Sequence, residues 1–124
     1  MNLDSACSIF EFGAGCTRFS WHLESDLRSK VSYDVQDVTY VNFDYLKEEA
    51  DSAHIGKIQD VDNNYDIIFS TFVWEHITDP QSTLQHLLIL LKPGGSIFIV
   101  SPRYEFPFYI SPSEKHLSKI KRFF

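Results

Sequence analysis

The stretch Ser8-Ile9-Phe10-Glu11-Phe12-Gly13-Ala14-Gly15-Cys16 constrains this chain more than any other. A short apolar run with an acid near its end gives way to two glycines one residue apart. A run this short suits a strand or a buried helix, and the glycines favour a strand that stops abruptly. Gly13 and Gly15 allow positive φ and let a ligand approach bare backbone. A helix opening after the turn would aim its free amides and its positive dipole end at that ligand. The pattern predicts a nucleotide-type site without choosing the nucleotide.

The 124 residues, 44% hydrophobic and 15% aromatic, suffice for the core of one small α/β domain. No run approaches the ~18 apolar residues of a bilayer span. Met1-Asn2-Leu3-Asp4 lacks the basic start and apolar core of a signal peptide. Cys7 and Cys16 have no CxxC spacing, so neither a zinc site nor a disulfide framework is indicated. A cytoplasmic protein without a membrane span is therefore expected. The net charge of −6 divides into −9 over residues 1–102 and +3 over 103–124. An acidic body repels a phosphate backbone, which argues against nucleic acid as a partner. The basic side chains Lys115, Lys119, Lys121 and Arg122 read as a solvated helix face.

Along the chain, strand and helix patterns alternate. Thr17 to about Ser29 reads as a helix, with Phe19, Leu23 and Leu27 recurring every four residues. Lys30–Asp34 reads as a second strand ending in an acid. Tyr40-Val41-Asn42-Phe43 offers a third strand, followed by Asp44. Only about six residues then separate the second and third strands, against the dozen or so a parallel crossover needs. Either a tight loop replaces the helix, or the third strand lies near Gly56-Lys57-Ile58-Gln59, ahead of Asp60. Tyr65–Ser70 is a fourth strand whose unbroken Ile-Ile-Phe run suits burial on both faces. Asp79 as N-cap and Pro80 at the first helical position start a helix with Leu84, Leu87, Leu88 and Leu91 as its apolar stripe. Lys92-Pro93-Gly94-Gly95 ends that helix, and Ser96–Ser101 is the fifth strand. Such alternation implies parallel βαβ units with ligands outside the carboxyl ends of the strands, where the acids gather.

A dinucleotide fingerprint would place a third glycine where Arg18 stands, which disfavours NAD. The G-x-x-x-x-G-K-[ST] phosphate loop is absent. Three segments instead carry a resemblance: FEFGAGCTRF (10–19), YDIIFSTFVWEHITDP (65–80) and LLKPGGSIFIVSP (90–102). In order and spacing they resemble the class I, Rossmann-like S-adenosylmethionine-dependent methyltransferases of the small-molecule type. The first looks like that family's E/D-x-G-x-G-x-G motif, with Thr17 in place of the third glycine. The resemblance implies a Rossmann-like three-layer α/β sandwich with a mostly parallel sheet of about five strands, lacking the family's usual last two. It covers roughly residues 7–102 of a single domain, 1–124, whose remainder, 103–124, is aromatic and basic.

The resemblance also implies roles. The cofactor would be S-adenosyl-L-methionine and the partner a small-molecule methyl acceptor with an O, N or C nucleophile. Gly13, Ala14 and Gly15 would supply close backbone, Glu11 would orient the methionine amino group, and Asp34 would accept the ribose hydroxyls. Asp44, or Asp60 under the other strand placement, would meet the adenine. Ser70, Thr71 and Phe72 would line the methionine end. His76 is a candidate general base, since histidine exchanges protons readily near neutral pH. Some relatives bind a metal through E-x-x-E-H, but Phe72 stands at the first Glu position and Glu75-His76 alone are too few, so no metal is expected.

Trp21 and Trp74 read as packing residues, Cys16 as a small structural residue, and His54, His86 and His116 as surface. Tyr104, Phe106, Phe108 and Tyr109 read equally as an aromatic wall for substrate or as cover for apolar surface. Family members usually carry helices before the first strand as well, so a truncated copy is expected. A non-catalytic cofactor-binding or interaction remnant of the fold is the alternative reading, and an NAD-dependent oxidoreductase a distant third. No feature of the sequence specifies an oligomeric state.

Overall fold

In the computed structural model, residues 7–101 are described. The glycine-stopped run forms β1 (Cys7–Phe12), at the centre of a sheet with β2 (Val31–Asp37), β3 (Ser52–Ile55), β4 (Tyr65–Thr71) and β5 (Leu91–Val100). All neighbouring pairs are parallel and the order is β3-β2-β1-β4-β5. This is the doubly wound arrangement, with its topological switch point between β1 and β4. The helices are α1 (Ser25–Ser29), α2 (Phe43–Glu49) and α3 (Pro80–Leu90).

The strand alternation divides the core. Ile9, Tyr33, Val35 and Leu46 pack on one face, and Phe10, Phe12, Tyr65, Ile68, Leu87 and Leu90 on the other. At the entry ends, Asp66 ties β4 to β1: Ser8 donates to its Oδ2 from both N–H (2.9 Å) and hydroxyl (3.0 Å), and Lys92 Nζ lies 3.4 Å away. Those donors, the Ser8 amide first, hold the Asp66 carboxyl below the ordinary range.

Four expectations need correction. Thr17–Ser29 is not one helix but a 3₁₀ turn, Phe19–His22, followed by the five-residue α1, with Leu23 extended between them. Tertiary contacts override the four-residue periodicity. The Phe19 ring packs on Tyr33 and Phe69 (centroids 5.1 and 4.7 Å), while Ser20 Oγ and Trp21 Nε1 both donate to Glu49 of α2. The second strand runs three residues beyond Asp34, to Asp37. The third strand is neither Tyr40–Phe43 nor Gly56–Gln59. Tyr40 and Val41 are exposed, α2 supplies the crossover that the parallel geometry demands, and β3 follows it, ending at Ile55 just before the second candidate.

The stripe of α3 is the fourth correction. Asp79 caps the helix as expected, accepting from the Ser82 N–H at 3.1 Å, with Pro80 in its first turn. The buried positions, however, are Thr83, Leu87 and Leu90, whereas Leu84 and Leu88 face outward and Leu91 already begins β5. The helix lands on the sheet through the 83/87/90 line, rotated from the leucine-rich one. Leu87→Ala should therefore cost about 2–5 kcal/mol and Leu88→Ala within about 0.5 kcal/mol. Urea denaturation midpoints of the two variants would test this, and equal losses would contradict the helix orientation.

Candidate active site

The chain leaving β1 turns through two left-handed glycines, Gly13 (φ 69°) and Gly15 (φ 55°). They serve different ends. A Cβ on Gly13 would lie 2.7 and 2.8 Å from the Val73 methyl carbons, so this glycine makes room for the segment leaving β4. A Cβ on Gly15 would meet nothing within 4 Å, so its backbone faces open space. Val73 comes back onto Gly13 just after Phe72, a non-glycine residue held at φ 58°, whose N–H donates to Val100 O at 2.8 Å. Left-handed backbone at a side-chain-bearing residue costs roughly 1–2 kcal/mol, and such strain concentrates at functional sites.

No helix follows the glycine turn directly, so the loop amides are not the open end of a helix. They are taken up by β2. Gly13 N–H donates to Gln36 Oε1 (3.1 Å), Ala14 N–H to Gln36 O (2.9 Å) and Gly15 N–H to Asp37 Oδ2 (2.8 Å). Gln36, 1% exposed, uses its amide nitrogen to donate to Gly56 O at 2.6 Å, joining the exit of β3 to the same assembly.

Glu11, on β1 just before the turn, is 3% exposed. Its carboxylate accepts from the Tyr33 hydroxyl at 2.5 Å, and among the described residues no cationic side chain pairs with it. Burial raises its carboxyl pKa, with the hydrogen bonds from Tyr33 and Thr17 pulling the other way.

The other expected site residues are divided. Asp34 lies three residues short of the end of β2, roughly 10 Å along the strand. It accepts from the Tyr65 hydroxyl at 2.8 Å and lines a separate polar cavity of about 80 Å³ with His54, Asp60 and Asp62. Asp60, the alternative to Asp44, therefore accompanies Asp34 rather than the glycine loop. Asp44 stands in the first turn of α2, exposed and paired with Lys47 at 3.4 Å, because the strand expected to precede it does not form. Ser70 is wholly buried in the sheet, and its hydroxyl has no hydrogen-bond partner among the described residues. Thr71 and Phe72 are exposed where β4 ends.

His76 closes a 3₁₀ turn, Trp74–His76, and its exposed ring lies 3.7 Å from the Glu75 carboxylate. That carboxylate is itself buried and accepts from Ser101 Oγ at 3.3 Å. His76 also lines a cavity of about 340 Å³ with Phe12, Gln36, Lys57, Ile58 and Thr83, within the range of small-molecule sites. Among the described residues no group of three or more His, Cys, Asp or Glu side chains could hold a metal ion. His54 and His86, expected at the surface, each bury an Nε2 atom that has no hydrogen-bond partner among the described residues. Cys16 is exposed with Sγ 3.0 Å from Asn42 Oδ1. Tyr104, Phe106, Phe108, Tyr109, His116 and the basic residues at 115–122 lie outside the described residues.

Asp37, Gln36, Tyr33 and Val73 escaped the reading of the sequence. A signal for Asp37 was present: the alternation Val31, Tyr33, Val35 continues past Asp34 and extends the strand to the next acid. Gln36 and Val73 carry no such signal.

An all-parallel 3-2-1-4-5 sheet with a glycine turn after its central strand is a Rossmann-like α/β fold. A model of the methyltransferase domain matches residues 4–121, and the chain belongs to that family. It is 31% identical over 109 residues to an uncharacterized methyltransferase of Schizosaccharomyces pombe, covering 77% of this chain and 38% of that one. It is also 40% identical over 50 residues to the mitochondrial ubiquinone biosynthesis O-methyltransferase of Dictyostelium discoideum, 40% of this chain and 16% of that one. The chain thus spans well under half the length of these relatives. Among solved structures, a SAM-dependent methyltransferase from Aquifex aeolicus superposes with TM-score 0.70 at 19% identity, covering 97% of this chain and 69% of that one. Coclaurine N-methyltransferase bound to N-methylheliamine and SAH superposes with TM-score 0.66 at 16% identity, covering 77% and 31%. Both likenesses confirm the fold.

The different duties of the two glycines separate in stability. Both alanine variants bear left-handed strain of about 1–2 kcal/mol, and Gly13→Ala adds about 1–3 kcal/mol of overpacking against Val73. Denaturant unfolding should rank Gly13→Ala as clearly the less stable, and the reverse order would refute the Val73 contact.

Proposed function

We propose that this chain binds S-adenosyl-L-methionine at the β1–β4 switch point and transfers its methyl group to a small-molecule acceptor. The strongest support is what gathers around the turn after β1: the backbone of Gly15 faces open space, its N–H is held by Asp37 at the end of β2, and Glu11 just before the turn is a buried carboxylate with no cationic side chain paired to it among the described residues. That donor set suits the cofactor's chemistry. Glu11 would meet the α-ammonium of the methionine end. Asp37, in place of the expected Asp34, would accept the ribose hydroxyls, and the cavity beside Gln36 and Ile58 would take the adenine. Gly13, Ala14 and Gly15 hold the approach path, with Thr71 and Phe72 on its β4 side.

Bound S-adenosylmethionine supplies an electrophilic methyl on a sulfonium that is already a good leaving group. The protein's part is then mainly to position the acceptor in line, which can lower a barrier substantially without covalent catalysis. His76 is exposed and lines the cavity given to the adenine, which sets it beside that end of the cofactor rather than beside the methyl, so no general base is assigned here. The acidic balance of residues 1–102 suits a small acceptor better than a nucleic acid.

Calorimetry tests the reading. S-adenosylmethionine should bind and NAD should not. Asp37→Asn should weaken binding by roughly tenfold or more, the loss expected for hydrogen bonds to a charged group, while Asp34→Asn leaves it unchanged. Absence of binding at millimolar S-adenosylmethionine would sink the proposal. Binding without transfer of labelled methyl to any of a panel of small amines, phenols and carbon acids would favour the non-catalytic remnant.

A further inference from the structure

The contact between Tyr33 and Glu11 is unusual for what it lacks. Tyr33 is wholly buried in β2, and its hydroxyl is the 2.5 Å donor to Glu11 Oε1. A buried carboxylate is commonly neutralised by Lys or Arg, which would satisfy it and leave nothing to attract a ligand cation. A phenol does something else: it orients the carboxylate and favours its ionised form while leaving the negative charge uncancelled. Burial and the adjacent carboxylate push the Tyr33 hydroxyl far above its ordinary range, so it remains a donor at every working pH.

The surroundings keep that hydroxyl in place. From β2, the Tyr33 N–H donates to Asp51 Oδ2 at 2.8 Å. The Phe19 ring packs against one side of Tyr33, and Arg28 of α1 stands 6.0 Å from its ring centre, committed to Asp51 at 3.1 Å. The loop after β1 is held from α2, where the Tyr45 hydroxyl donates to Thr17 O at 2.6 Å. Glu49 of α2 is the nearby second carboxylate, bound by Ser20 and Trp21. From β4, the register partner of Glu11 is Phe69, which is uncharged.

We propose that Tyr33 is a positioning residue of the cofactor site, holding the Glu11 carboxylate ready for the α-ammonium group of an amino-acid ligand. This rests on the S-adenosylmethionine reading above and adds to it a residue that does not itself touch the ligand. It also predicts a pH signature. Without the hydroxyl, the Glu11 carboxyl titrates higher than in the parent protein, because burial then acts with less opposition. Ammonium binding is consequently lost as pH falls and recovers as pH rises, up to about 7.7–8, where an α-amino group itself deprotonates.

The test compares Tyr33→Phe with the parent protein by calorimetry from pH 5.5 to 7.5. Tyr33→Phe should bind S-adenosylmethionine roughly tenfold more weakly at the acid end, with the gap narrowing toward pH 7.5. Affinity for 5′-methylthioadenosine, which lacks the ammonium, should not change. In the ligand-free protein, the ¹³C titration of the Glu11 carboxyl should move to higher pH in the variant. Glu11→Gln supplies an independent arm: it should lose S-adenosylmethionine affinity, spare 5′-methylthioadenosine and abolish the pH dependence. Equal loss for both ligands, or an unshifted Glu11 titration, would reduce Tyr33 to a packing residue and overturn the proposal. A parent protein that binds no S-adenosylmethionine would overturn it differently, by removing the cofactor reading itself.

Discussion

Three successive amides after β1 depend on the last two residues of β2. Gly13, Ala14 and Gly15 all donate to Gln36 or Asp37, and every other feature of the crevice follows from that clamp. Buried amides left unmatched carry a full desolvation cost. A glycine loop with no helix behind it therefore needs acceptors from elsewhere, and a parallel neighbour in register supplies them. Because Phe12 pairs with Gln36, the acceptors arrive where the loop begins. Gln36 then passes a bond to Gly56, so the exits of three strands are tied before any ligand arrives. A preset loop of this kind does not have to be ordered by the ligand.

The clamp also separates two carboxylates. Glu11 points into the face holding Tyr33 and Val35, and Asp37 emerges at the rim. One is dry and supported by neutral donors, while the other is partly solvated and bound to a backbone amide. Under the function proposed above, environments that differ this much would receive different ligand groups, a charged ammonium and neutral hydroxyls. On the opposite side of the switch point, the left-handed turn at Phe72 brings Val73 onto Gly13, so β1 and β4 close on each other through a contact that only glycine permits.

Much of this was legible in advance. The strand at Ile9–Phe12, the fourth strand from Tyr65, the Asp79-Pro80 helix start and the Ser96–Val100 part of the fifth strand depend on near neighbours in sequence, although that strand begins at Leu91 and takes in the Lys92–Gly95 run expected to end the helix. The failures share a cause. The helix expected from Thr17 gave way because Phe19, Ser20 and Trp21 find partners on β2, β4 and α2, contacts that no periodicity encodes. The crossover length already argues against Tyr40–Phe43, and the third strand forms at Ser52–Ile55, just short of the Gly56–Gln59 alternative. Leucine spacing alone predicts the wrong stripe on α3, since Thr83 is buried and Leu88 is not.

By itself, the sequence determined the alternating α/β class, the glycine turn after β1 and the family, because these rest on local backbone preference and on short motifs. Only the tertiary structure decided which acid stands at the crevice. Asp34 and Asp37 lie three residues apart and are chemically identical, yet one lines a small polar cavity with Tyr65 and the other holds the glycine loop. Three residues along a strand shift a side chain by roughly 10 Å and turn it to the opposite face. Where a strand stops is set by the partners it pairs with, and those partners are brought together only by folding.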